Sequence, residues 1–93
     1  MNQEYKVPIS NSLIVFREEF DDWAILFDPQ SGKAFGINPI ASLIWKRLDG
    51  KHKLEAILRE IKESLLDVPD NVESEINEFL SELVENGFAG YEL

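Results

Sequence analysis

The residues able to do chemistry are few. The 93-residue chain has one histidine, His52, and no cysteine. A thiolate nucleophile, a disulfide and a Cys-bound metal are therefore excluded. His52 stands between Lys51 and Lys53 with no obvious carboxylate partner. Its expected place is the surface of a Lys-rich turn, not a general acid–base site. Carboxylates are plentiful, but Asp70, Glu73, Glu75, Glu78, Glu82 and Glu85 recur at ordinary helical spacing, as on a solvated helix face. No nucleophile elbow, metal motif or phosphate-binding loop occurs. The chain reads as noncatalytic and without a cofactor.

Charge sorts the remaining functions. Residues 1–62 carry nine Lys or Arg and nine Asp or Glu, so that segment is neutral. Residues 63–93 hold the other nine acids and no Lys or Arg, and the whole net charge of −9 lies there. A DNA-reading helix needs cations to meet phosphates, and the last helical stretch has none. The basic group Lys46, Arg47, Lys51, His52 and Lys53 is the one place for nucleic acid to sit, and a solvated helix junction explains it as well. No apolar run approaches the ~18 residues that span a bilayer, and MNQEYKVPIS lacks a signal-peptide core. A cytoplasmic location, with no nucleic acid and no membrane as partner, is the expectation.

The elements that would position a site centre on residues 24–50, AILFDPQSGKAFGINPIASLIWKRLDG. Trp23 to Phe27 suits a buried strand. Asp28-Pro29-Gln30-Ser31-Gly32 supplies a turn, and Lys33 to Ile37 returns as a second strand. Along that strand Phe35 and Ile37 share one face, Ala34 and Gly36 the other. Asn38-Pro39 opens a helix, with Ile40, Ala41, Ile44, Trp45 and Leu48 on one side and Asp49-Gly50 ending it. Upstream, Met1 to Lys6 reads as loose. Pro8 confines Val7 to Ile9 to a sheet edge or an irregular segment. Leu13 to Phe16 is the first strand.

A second helix is expected from Leu54 to Leu66, striped by Leu54, Ile57, Leu58, Ile61 and Leu65. Its start is poorly capped, because Lys51-His52-Lys53 puts positive charge at the positive end of the helix dipole. Asp67-Val68-Pro69 forms a loop. A third helix runs from about Asp70 to Asn86, with Asp70 and Glu73 as a capping box and Val72, Ile76, Phe79, Leu80 and Leu83 as its stripe. Asn86-Gly87 ends it, with Phe88 placed against Leu83. Phe88 to Leu93 is a short tail. The fold class is α+β in one domain: a three-stranded antiparallel sheet followed by three helices, like a winged helix-turn-helix with its hairpin at the front.

DPQSGKAFGINPIASLIWKRLDG, then LEAILREI, then VESEINEFLSELVENGF resembles the PqqD-like family, also called RiPP recognition elements. The likeness covers about Leu13 to Phe88. Lys53 departs from it, since the family often places a Thr or Ser cap there. The resemblance implies a peptide-binding module that receives the N-terminal leader of a ribosomally made precursor peptide. It presents that leader to a modifying enzyme, which is a radical SAM protein in the founding pathway. It also implies that the leader adds as a strand beside the third strand and packs on the third helix.

The residues themselves are compatible with that role. A short last strand before a helix is a natural edge, and an open edge offers unpaired N–H and C=O groups. The expected site is therefore Lys33, Ala34, Phe35, Gly36 and Ile37, closed by Val72, Glu75, Ile76 and Phe79. Gly36 has two readings: room for another backbone, or a small residue beneath Trp45 or Trp23. Phe35 and Ile37 read as core that shapes a groove floor. Glu75 and Glu82 share the flank of Phe79 and would favour a leader carrying Lys or Arg. An exposed edge also permits a homodimer. The competing reading is an acidic regulatory or antitoxin-like interaction domain.

Overall fold

The central layer is an antiparallel sheet in which β3 (Ala24–Phe27) lies between β2 (Val15–Glu18) and β4 (Ala34–Ile37). A computed structural model describes residues 7–64 and 70–92 of the chain. Three helices follow, α1 (Pro39–Lys46), α2 (Leu54–Ser64) and α3 (Val72–Glu85). Two further strands, β1 (Val7–Ser10) and β5 (Ala89–Glu92), form a separate antiparallel ladder. The expectations for Met1 to Lys6, for Leu65 and Leu66 as helix, for the Asp67-Val68-Pro69 loop and for Leu93 lie outside the described residues.

That small ladder corrects two expectations. The tail after Phe88 is a strand, and Val7 to Ser10 pairs with it and not with the main sheet. The carbonyl of Pro8 accepts from the Gly50 amide at 3.1 Å, and Ser10 donates to the Leu48 carbonyl at 2.8 Å. Strand alternation thus turns Pro8 toward the α1–α2 turn, away from β5, where a missing N–H would interrupt the ladder. The first strand of the main sheet begins at Val15, later than Leu13, because Asn11 holds a turn. Its side chain accepts from the Leu13 amide at 3.0 Å and its carbonyl from Ile14 at 3.1 Å.

The β3–β4 hairpin is built by Asp28. Its carboxylate accepts from the Ser31 hydroxyl at 2.7 Å and the Gln30 amide at 2.9 Å. Those hydrogen bonds, the Ser31 hydroxyl foremost, hold its carboxyl below the ordinary range. Gly32 takes φ of 79° and donates to the Asp28 carbonyl at 2.8 Å. Only glycine adopts that conformation without a steric penalty.

Helix ends follow local chemistry. Asn38 caps α1 by accepting from the Ala41 amide at 2.8 Å, with Pro39 in the first turn. The helix stops at Lys46, short of Asp49, and Leu48 is buried just beyond it. The Asp49 carboxylate organises the next turn by accepting from Lys51, His52 and the His52 ring. His52 therefore has a carboxylate partner, at 2.9 Å, that sequence reading did not give it. The Asp70–Glu73 capping box does not form. Asn71 holds the cap position of α3 at ψ of 20°, outside the extended geometry that lets a side chain reach back, and makes no side-chain cap bond. The other end is as expected: Gly87 donates to Val84 and Phe88 to Leu83, with Gly87 at φ of 78°.

The core lies between the sheet and the helices. Leu26, Ile44, Leu54, Ile57, Ile61, Ile76 and Leu80 are essentially inaccessible. Phe88 is also fully buried, and its ring meets Phe35 edge to face at 5.1 Å. That contact ties β4 to the end of α3.

Hydrogen bonds from the His52 ring and the Lys51 amide lower the Asp49 carboxyl from 3.8 to about 2. A depressed folded value contributes stability above the unfolded pKa and loses it as pH falls through the folded one. Urea midpoints of the natural chain and Asp49→Asn should therefore differ at neutral pH, and converge as pH drops from about 4 to about 2. A gap that stays constant to the bottom of that range would remove this role from Asp49.

Candidate peptide-binding groove

Antiparallel pairing fixes which backbone groups of β4 are free. Asp28 donates to the Lys33 carbonyl at 2.9 Å, and the register then pairs Phe27 with Ala34, Leu26 with Phe35, Ile25 with Gly36 and Ala24 with Ile37. Hydrogen-bonded and non-hydrogen-bonded positions alternate along such a ladder. Phe35 and Ile37 direct their N–H and C=O groups at β3. Ala34 and Gly36 direct theirs away, at the open edge. Among the described residues β4 has no second strand neighbour. A single added strand can therefore meet two donors and two acceptors.

Facing this edge are the N-terminal half of α1 and one flank of α3. Between them lies a hollow of about 180 Å³, lined by Gly36, Ile37, Ile40, Ile44, Ile76 and Phe79, with Glu75, Asn38 and Ala41 at its margin. A second hollow of about 80 Å³ continues along β4, lined by Phe35, Gly36, Ile37, Phe79, Glu82 and Leu83. The two share Gly36, Ile37 and Phe79, so they form one groove with Phe79 standing between its halves. Most of the lining side chains are apolar, Asn38, Glu75 and Glu82 being the polar ones, and the first hollow is as polar as it is apolar in surface. No cation lines either hollow.

The expected site residues separate into three groups. Gly36, Ile37, Glu75, Ile76 and Phe79 come together at the first hollow, with Phe35 at the second. Ala34 lines neither hollow, but its backbone faces the open edge. Val72 is 2% exposed, lines neither hollow and belongs to the core. Lys33 sits at the turn, its carbonyl already bonded to Asp28 and its ammonium 3.1 Å from the Asn86 side-chain oxygen.

A Cβ built at Gly36 meets nothing within 4 Å, so the glycine is not a spacer beneath Trp45 or Trp23. Asn38, Ile40, Ala41, Ile44 and Leu83 line the groove without having been expected there. Ile40, Ala41 and Ile44 carried a signal, the apolar stripe of α1. That stripe indicates burial and does not say which end of it borders an opening.

Neither His52 nor the basic residues around it belong to this groove. Lys46 pairs with Glu18 at 2.5 Å and lies 5.8 Å from the Phe16 ring centre, and Arg47 pairs with Glu60 at 2.6 Å. Among the described residues no group of three or more His, Asp or Glu is placed to hold a metal.

Among the described residues β2 and β4 are both free edges of the main sheet, and the β4 edge is the one that lies beside the helix-walled hollows, with room for an extended segment. The chain belongs to the PqqD family: residues 24–89 match the family model described as coenzyme PQQ synthesis protein D. It is also similar to a solved structure of TbiB1 in complex with the TbiA(beta) leader peptide, at 26% identity and a TM-score of 0.72. That similarity covers 91% of this chain and 99% of the other. No curated protein matches the chain.

Proposed function

We propose that this chain is a noncatalytic recognition module that binds the leader of a ribosomally made precursor peptide as a strand beside β4. It presents the leader to a modifying enzyme, of the radical SAM kind in the family's founding pathway. The observation that carries this reading is the coincidence of the free Ala34 and Gly36 backbone with a groove walled by Ile37, Ile40, Ile76 and Phe79 in a PqqD-family fold. A relative in complex with a leader peptide supports it. The acidic regulatory reading has no comparable observation behind it. The engaged side chains of Lys46 and Arg47 further weaken a nucleic-acid role. No helix among the described residues is long and apolar enough to cross a membrane, which accords with action in the cytoplasm, where precursor peptides are made.

Magnitudes say which contacts decide affinity. Four backbone hydrogen bonds contribute about 0.5–1.5 kcal/mol each. Ordering five peptide residues costs about 1–2 kcal/mol apiece. Pairing alone does not offset that cost. Two side chains buried in the hollows add about 1.5–3 kcal/mol each. The edge thus sets direction and register, and the apolar anchors supply most of the net affinity.

Replacing Gly36 by Pro removes one outward N–H while leaving the β3–β4 bonds of Phe35 and Ile37 in place. Titration of a fluorescent leader should show affinity falling about fivefold or more, because the leader carbonyl left without a donor costs about 1–3 kcal/mol. Gly36→Ala, whose methyl meets open space, should stay within about twofold of the natural chain. Unchanged binding by a folded Gly36→Pro protein would sink strand addition at this edge.

Glu75 and Glu82 should favour leaders with Lys or Arg beside the apolar anchor, by at most about 1 kcal/mol per exposed pair. Affinity for such a peptide should decline from 0.05 M to about 0.5 M salt. The decline should be shallower in a Glu75→Gln, Glu82→Gln double variant. Equal slopes would make these carboxylates a solvated face only.

A further inference from the structure

The sheet is apolar on both sides. On β3, Ala24 and Leu26 point into the core, yet Ile25 and Phe27 line the opposite face, and Trp23 just before the strand is exposed. An antiparallel sheet with one wet face ordinarily places polar residues there. Here Val15, Ile25 and Phe27 surround a hollow of about 280 Å³, with Arg17 beside them. Leu13, Val15, Phe20, Trp23 and Phe27 are five of the six large apolar side chains exposed among the described residues, at 40–80%. They all belong to the β2–β3 hairpin and its approach, none to the groove.

The hairpin turn sets which residues border this face. Asp21 and Asp22 both adopt left-handed backbone, at φ of 57° and 65°. Asn-Gly would close such a turn with less strain. Both central residues of a tight two-residue hairpin turn take positive φ, and Asp adopts it more readily than most residues. The turn lifts Phe20 and Trp23 to 80% and 51% exposure and places two carboxylates beside them.

We propose that this outer face is a second docking surface, for a folded protein whose contact patch is apolar at its centre and Lys- or Arg-rich at its rim. Charge selects that partner. At the edge of this face stand Asp21 and Asp22 of the turn, while Glu18 is held by Lys46, Asp28 within its own turn and Lys33 by Asn86. Arg17 is already paired with Glu19 at 2.9 Å. A second copy would bring the same acidic rim and a net charge of −9, and an anionic membrane would also be repelled. The face is continuous with the groove, because Ala34 and Gly36 stand beside Phe27 and Ile25 in the register. A peptide strand added at β4 would show its alternate side chains on this same side. A protein docked here therefore meets both the sheet and its cargo. Its assignment as the enzyme that modifies the peptide rests on the peptide-binding reading; the surface itself does not.

The test places a photo-crosslinking residue in the full chain, at Trp23 in one protein and at Glu75 in another, and irradiates the source cells. The Glu75 probe should yield a short peptide and the Trp23 probe a folded protein. The adduct on that protein should map to an apolar patch flanked by Lys or Arg. The protein so identified is then purified and titrated against the natural chain and a Trp23→Ser, Phe27→Lys variant. Binding should fall at least tenfold in the variant, while leader affinity and melting temperature stay unchanged. Crosslinks from Trp23 only to further copies of this chain, to peptide alone or to nothing would overturn the proposal. So would equal binding by the two proteins. Failure of the groove reading is seen separately, as an absent peptide adduct at Glu75.

Discussion

A β-strand gives each residue's backbone polar groups to one side only, and the site depends on that constraint. Asp28 sets the phase through its bond to the Lys33 carbonyl, after which Phe35 and Ile37 spend their hydrogen bonds on β3. Their side chains turn inward, where Ile37 is buried and Phe35 meets Phe88. The same alternation leaves Ala34 and Gly36 with outward backbone groups. Shifting the β3–β4 register by one residue would exchange the two sets, exposing Phe35 and Ile37 and burying the groups that await a partner. Core packing therefore fixes which backbone groups of β4 face the open edge.

The ends of the chain reinforce this arrangement. Phe88 follows directly on the glycine-terminated end of α3, so the edge-to-face contact holds the helix wall beside β4. β5 then runs back along β1, whose carbonyl and amide at Pro8 and Ser10 reach the turn after α1. Both helices that border the groove are thus anchored at their far ends. The near flanks, where Glu75 and Glu82 lie, stay open. Glu75 and Glu82 give that margin a negative potential.

Much of the fold was legible in the sequence. The Asp-Pro-x-x-Gly turn, the Asn-Pro helix start and the Asn-Gly-Phe helix end each carry their conformation in two to five residues. What escaped was non-local or finely balanced. β1 and β5 are short, one contains proline, and only their meeting across 80 residues makes either a strand. The Asp70–Glu73 spacing suits a capping box, yet the helix starts at Val72 and Asn71 takes the cap position. For the site, edge and wall could be read from element order and stripe. Val72 could not be told from Ile76, because both lie on one stripe and both are buried, and only Ile76 also borders the hollow. Gly36 became informative only once its surroundings were known to be open.

Amide hydrogen exchange resolved by residue tests the central claim most directly. In the free protein the amides of Phe35 and Ile37, bonded to β3, should exchange slowly, and those of Ala34 and Gly36 fast. Addition of the cognate leader should slow Ala34 and Gly36 strongly and together, with little change at Phe35 and Ile37. If the leader binds while Ala34 and Gly36 keep their free-state rates, and protection appears instead around Lys46 to Lys53, the peptide does not add to β4 and the account is wrong.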